Sequence, residues 1–186
     1  MKTAALLTAI LLTASAPVFA QSMSEPTVRV GGQSMFPNKT IVANAVNSAD
    51  HTTLVAAVKA AGLVDTLNGK GPFTVFAPTN EAFDALPKGT VATLVKPENK
   101  AMLTKILTYH VVPGDYTTTK LRSMILAGHG VATLTTVEGG KLYVMMNGSN
   151  NLSVKDQKGD IADITISDVN QSNGVIQVVD HVLLPG

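Results

Sequence analysis

The sequence predicts an α+β domain, and two observations carry that prediction. Apolar residues recur at helical spacing through the first half of the chain, then at every second position from Val131 onward. Two stretches, Phe73 to Ala77 and Val175 to Leu184, are instead apolar at nearly every position, the pattern of strands buried on both faces. Helices gathered ahead of strands, rather than alternating with them, argue for segregated layers over a parallel sheet with crossover helices.

The first 20 residues have the form of a secretory signal. Lys2 supplies the charged start, Ala4 to Leu12 the short apolar run, and Val18-Phe19-Ala20 a small-residue cleavage site, with cleavage expected after Ala20. A secreted or periplasmic location follows, with no membrane insertion, because that run is too short to span a bilayer. Residues 21–36 are polar, rich in Ser and Gly and without apolar period, and read as a flexible leader. The folded domain is expected over residues 37–186, a length that suits one core. With no cysteine, that core must hold without disulfides.

Along the domain, Ile41, Val42, Ala45 and Val46 give a short helix. Asp50 is expected to cap an amphipathic helix in which Leu54, Val55, Val58 and Ala61 share one face and Gly62 provides the stop. The stretch from Phe73 to Ala77 is a strand that ends at Pro78, which has no amide to give to a ladder. Thr79 and Asn80 are helix-capping residue types, and Ala82, Phe83 and Leu86 supply the apolar side of the helix that follows. Thr90 is expected to cap a short helix through Val95, and Pro97 suits the first turn of a longer one. On that longer helix Leu103, Ile106, Leu107 and His110 form one stripe with Tyr109 at its edge. The spacing predicts a buried, neutral His110 ring and a Tyr109 hydroxyl that stays in water. After a last helix around Leu121, Met124 and Ile125, two alternating runs flank Glu138-Gly139-Gly140-Lys141 as a hairpin.

The search for chemistry excludes most enzyme classes. There is no Gly-x-Ser-x-Gly elbow and no thiol nucleophile, and Gly69-Lys70-Gly71 lacks the spacing of a phosphate loop. Asp156, Asp160 and Asp163 lack the ligand alternation of a calcium loop. His51, His110, His129 and His181 do not fall at zinc spacing. No catalytic residue, metal or cofactor is expected. Once Lys2 is removed with the signal, 13 basic residues balance 13 acidic ones, which argues against nucleic acid as a partner.

Three segments carry a family resemblance. TVFAPTNEAF (74–83), TYHVVPG (108–114) and NGVIQVVDHVLLP (173–185) resemble, in order and approximate spacing, the two signature segments and the tyrosine–histidine motif of the fasciclin domain. The likeness runs from Pro37 to Pro185. It implies an α+β wedge or sandwich of about seven mostly antiparallel strands with helices along one side, and a role in cell adhesion or extracellular-matrix interaction. In animal relatives the tyrosine–histidine motif, and an Asp-Ile pair before the last segment, are assigned to integrin binding. Tyr109-His110 matches the first, and Asp168-Val169 stands where the second is expected. The short signal and compact exported domain look bacterial, which argues against an integrin.

The resemblance thus makes Tyr109, His110, Asp168 and Val169 the candidate binding residues. Thr79, Asn80, Phe83, Val178 and His181 read as structural, His181 as a strand residue bonded to a backbone group. The expected activity is that of an exported binding module, a monomer or weak self-associator, whose partner is a cell-surface or matrix protein or polysaccharide. The rival reading is a periplasmic small-molecule binder, or an enzyme without a recognised motif, using a pocket near Asn80, His110 and His181.

Overall fold

The computed structural model describes residues 27–186, and the predicted signal segment lies outside the described residues. The described strands are β1 (Val28–Val30), β2 (Gln33–Met35), β3 (Phe73–Pro78), β4 (Val111–Pro113), β5 (Val131–Thr135), β6 (Lys141–Asn147), β7 (Asn151–Lys155), β8 (Ile161–Gln171) and β9 (Gly174–Val179). The helices are α1 (Ile41–Ala45), α2 (Thr52–Ala61), α3 (Val64–Leu67), α4 (Asn80–Asp84), α5 (Thr90–Leu94), α6 (Lys100–Tyr109) and α7 (Thr118–Ala127). Strands β3 to β9 form one seven-stranded sheet in the order β4-β3-β9-β8-β7-β6-β5. All its pairings are antiparallel except β3 with β9, which run parallel.

The two continuously apolar stretches become neighbours in that sheet, and they divide the interior. Val75 and Ala77 of β3, with Ile176 and Val178 of β9, face a core filled from α1, α2, α3, α4 and α6. Phe76 and Val179 face a second core made by α7 and the inward residues of β5 to β8. A strand buried on both faces needs apolar residues at consecutive positions, and these two supply them. Strand β8 joins the halves of the sheet: residues 161–163 pair with β7 and residues 164–171 pair with β9. Within the part paired with β9 it carries two register shifts, and Asp168 sits in the second with φ 55°.

Several expectations need correction. Residues 28–35 are not flexible leader but a hairpin, β1–β2, whose Val30 and Met35 are buried in the first core. Gly31 and Gly32, with φ 57° and 75°, make its two-residue turn, which side chains would strain. Two buried residues per hairpin are too few to show as a period, and a Gly-Gly pair among Ser and Gln has the composition of a leader. The last strand ends at Val179 rather than Leu184. Val182, Leu183 and Pro185 stay buried, yet the amides of Leu183 and Leu184 bond to side chains instead of a ladder, and an apolar run cannot tell the two apart. Strands β8 and β9 meet at Gly174, where an added Cβ would lie 1.9 Å from the Phe73 carbonyl oxygen.

The helix caps also differ in detail. Thr40, Thr79 and Thr117 cap α1, α4 and α7 through their hydroxyls. Asp50 does not cap α2; the Asn80 side chain does so from a distance, accepting from the Thr53 amide at 3.0 Å and donating to the Ala49 carbonyl at 2.8 Å. Thr90 likewise does not cap α5, whose N-cap position is held by Gly89.

The hairpin correction has a measurable consequence. Met35 is 2% exposed, so Met35→Ala should cost about 2–4 kcal/mol. Thermal unfolding should show a midpoint lowered by well over about 4 °C. An unchanged midpoint would return the hairpin to the leader.

Candidate functional site

The four residues carried over as binding candidates fall in two places: Tyr109 ends α6 with His110 directly after it, and Asp168 and Val169 lie at the bend of β8. The apolar stripe of α6 turns Leu103, Ile106 and Leu107 into the first core. Tyr109 ends the helix on the other side, within the second core, and is fully buried. Its hydroxyl is not in water: it donates to the Lys141 carbonyl at 2.7 Å and accepts from the Gln157 amide at 3.0 Å. Tyr109 therefore holds the β5–β6 hairpin and the turn before Asp160 together. Burial pushes its pKa up to about 12, against the pull of the Gln157 amide.

His110 is 2% exposed, and both ring nitrogens are engaged. Nδ1–H donates to the Ile106 carbonyl at 2.9 Å, and Nε2 accepts the Leu183 amide at 2.9 Å. The acceptor role of Nε2 requires the neutral ring with its proton on Nδ1. Burial lowers the His110 pKa to about 4, only partly opposed by the Ile106 carbonyl. Its own carbonyl accepts the Phe76 amide at 2.9 Å, which fixes how the chain passes from α6 into β4. Beside it the carboxylate of Asp156 accepts the Leu184 amide at 2.9 Å as well as the amides of Lys158 and Asp160.

Asp168 and Val169 are also committed to the fold. The Asp168 carboxylate accepts the Thr118 amide at 2.8 Å, bonds the Thr118 hydroxyl, and accepts from Gln177 Nε2 at 2.9 Å. A carboxylate at the first turn of α7 suits the positive end of that helix. Gln177 interrupts the apolar strand β9 and is fully buried; it also donates to the Tyr116 carbonyl at 3.1 Å and accepts the Asp168 amide at 3.1 Å. Val169 is 1% exposed in the first core, as is Val178, with Phe83 at 7%. His181 departs from expectation: it lies after β9, its side chain is more than half exposed, and Nδ1 is 2.8 Å from Asp180 Oδ1.

The described residues hold two features open to a partner. One is a cavity of about 220 Å³ between α1, α2 and the β3–β9 pair. Of the three residues expected to share a pocket, only His110 lines it; Asn80 and His181 do not. His51, from the turn before α2, lines it too. The other is the outer face of β5 to β8. Register places Val131, Met145 and Ser153 in one row, and Thr133, Tyr143, Lys155 and Ile161 in the next. Val131, Thr133, Lys155 and Ile161 are exposed, and Tyr143 and Met145 are half-buried. The alternating pattern identifies two faces but not which of them α7 covers, so the sequence alone did not single out these residues.

Comparison with known proteins agrees with this architecture. Residues 49–185 match the fasciclin domain, and the chain belongs to the fasciclin-domain family. Protein sll1483 of Synechocystis is 47% identical over 148 residues, covering 78% of this chain and 73% of that protein. Immunogenic protein MPB70 of Mycobacterium bovis is 36% identical over 167 residues, covering 87% of this chain and 77% of that one. Among solved structures, a domain pair from the insect cell adhesion molecule fasciclin I superposes with a TM-score of 0.72 at 19% identity. That match covers 80% of this chain and 51% of the fasciclin I chain.

The buried histidine generates a pH dependence with a definite sign. Between pH about 6.5 and about 4 the unfolded chain binds a proton at position 110 that the folded chain refuses, so stability falls as pH falls through that window. The loss should amount to about 2–4 kcal/mol, since one pKa unit is about 1.4 kcal/mol. Denaturant unfolding at pH 7 and pH 4 should show it, and His110→Phe should shrink the wild-type difference by about 2–4 kcal/mol, leaving the share of the other buried histidine, His51. A variant with the full wild-type pH dependence would mean the ring is not the titrating group.

Proposed function

We propose that this protein is an exported, non-catalytic binding module that attaches to a partner at the cell surface or in the surrounding matrix through the outer face of β5 to β8. The observation that carries the reading is that uncovered face, where Tyr143 and Met145 lie beside Val131, Thr133, Lys155 and Ile161. Aromatic and methionine side chains flanked by polar rows are the composition that favours a macromolecular contact. The residues first considered for contact cannot supply it directly. Tyr109, His110 and Val169 are buried, and Asp168 spends its carboxylate on α7 and Gln177.

Two further points support the reading. The domain shares its fold with the cell adhesion molecule fasciclin I, and the signal-like start of the sequence suits export. Among the described residues no helix is long and apolar enough to cross a membrane. The partner is a surface or matrix protein or polysaccharide.

The test is a surface variant carrying Tyr143→Thr and Met145→Thr, which keeps strand-compatible residues at both positions. Binding to envelope fragments from the native host should weaken by about tenfold or more, the scale of a lost contact centre. Protease treatment of the fragments separates a protein partner from a polysaccharide one. Unchanged binding by a folded variant would remove this face from the function.

A further inference from the structure

The cavity beside His51 is built differently from the rest of the core. It lies at the join of α1 and α2, where Val46, 47% exposed, and the exposed Lys59 stand at its rim. Deeper in, its lining is aliphatic: Ile41, Leu54, Val58, Val75 and Ile176 among others. Protein interiors are normally packed without voids larger than a water molecule, and this space of about 220 Å³ exceeds that by far. An engineered apolar cavity of about 150 Å³ is enough to hold benzene.

The polar groups along the lining are few, and all but one inside the rim are accounted for. His110 has partners on both ring nitrogens. Ser48 Oγ lies 2.9 Å from His51 Nδ1, so each satisfies the other. His51 Nε2 is left over: the residue is 3% exposed, and this nitrogen has no hydrogen-bond partner. It stands alone among the described residues in being a buried side-chain nitrogen or oxygen without one. Such groups are rare in folded proteins because an unmet donor or acceptor inside the core is costly. Here the unmet group belongs to a residue that lines an apolar space large enough for a guest.

The chemistry of the anchor narrows the guest. Burial lowers the His51 pKa, opposed only in part by the nearby Ala77 carbonyl, which does not meet hydrogen-bond geometry with the ring, and by Asp50, so the ring is neutral at neutral pH. The Ser48 hydroxyl can donate to Nδ1 or accept from it, which leaves Nε2 as either a donor or an acceptor. A hydroxyl group on the guest meets both cases, and an aliphatic lining disfavours a second polar group or a charge. We propose that this cavity is a binding site for a compact, neutral, largely hydrocarbon alcohol or phenol of about ten heavy atoms, held by a hydrogen bond to His51 Nε2. The site is separate from the outer sheet face, so it adds a small-molecule ligand to the domain whatever its macromolecular partner.

The probes are p-cresol and toluene, which share size and shape and differ by one hydroxyl. Calorimetric titration of the purified protein should give saturable 1:1 binding of p-cresol, tighter than toluene by about tenfold, the worth of one hydrogen bond to a buried group. Nitrogen-15 NMR should show the His51 Nε2 resonance moving with p-cresol and not with toluene. His51→Phe should bring the two affinities within about threefold of each other. Because that variant also removes the Ser48 partner, a second one blocks the entrance instead: Val46→Trp, at an exposed position, should abolish binding of both probes. Equal affinity for the two probes would overturn the anchor, and binding that survives Val46→Trp would overturn the site. No binding of p-cresol to wild-type protein at millimolar concentration would overturn the proposal outright.

Discussion

Two adjacent side chains at the end of α6 close the structure. Tyr109 and His110 point into different cores, and each ties the end of α6 to backbone groups distant in sequence. The tyrosine hydroxyl links the β6 edge at Lys141 to the turn at Gln157. The imidazole links the helix end at Ile106 to the departing chain at Leu183. Residues 180–186 lie outside the sheet and have no ladder of their own, so their buried amides depend on His110 and Asp156. An amide left unpaired there would cost about 1–3 kcal/mol. This requirement explains why a polar pair ends an otherwise apolar helical stripe.

The same device recurs wherever the chain has no regular partner. Asn80 caps α2 from the start of α4, and Asn173 accepts the Ile41 amide at 3.0 Å while donating to the carbonyls of Leu67 and Gly69. Asp168 and Gln177 hold the start of α7 against the bend of β8. Each is a polar side chain within or beside an apolar segment, bonded to groups distant in sequence. Such networks contribute little net stability over an apolar substitute but penalise every arrangement that leaves a member unpaired. They fix how seven short helices sit on a sheet that lacks disulfides.

Much of this was legible in the sequence because it depends on local pattern. The periodicities of α2, α6 and β5 to β8 gave the elements, and the two double-sided apolar runs gave the central strands, but with one core expected where the pair divides the interior into two. The stripe through Leu103 and Ile106 gave the burial of His110. What escaped has a common cause. The β1–β2 hairpin, the wet-or-dry state of the Tyr109 hydroxyl and the distant reach of Asn80 are decided by contacts between residues far apart in the chain. Periodicity cannot report these. The outer face of β5 to β8 and the cavity beside His51 escaped for the converse reason, since each is defined by what does not cover or fill it. A lone buried histidine looks the same in sequence whether its second nitrogen is met or not.

The tyrosine–histidine motif, one of the three segments that carry the family likeness, is therefore a structural clasp in this chain, and the exposed face of β5 to β8 lies elsewhere. Native-state hydrogen exchange tests that claim most directly. The amides of Leu183 and Gln157 lie outside any strand, so without the clasp they would exchange by local opening. The clasp predicts that both exchange only through global unfolding, with an opening free energy equal to that of Val178 in the central strand. Rapid exchange at Leu183 and Gln157 while Val178 stays protected would contradict it, and would return Tyr109 and His110 to the surface as contact residues.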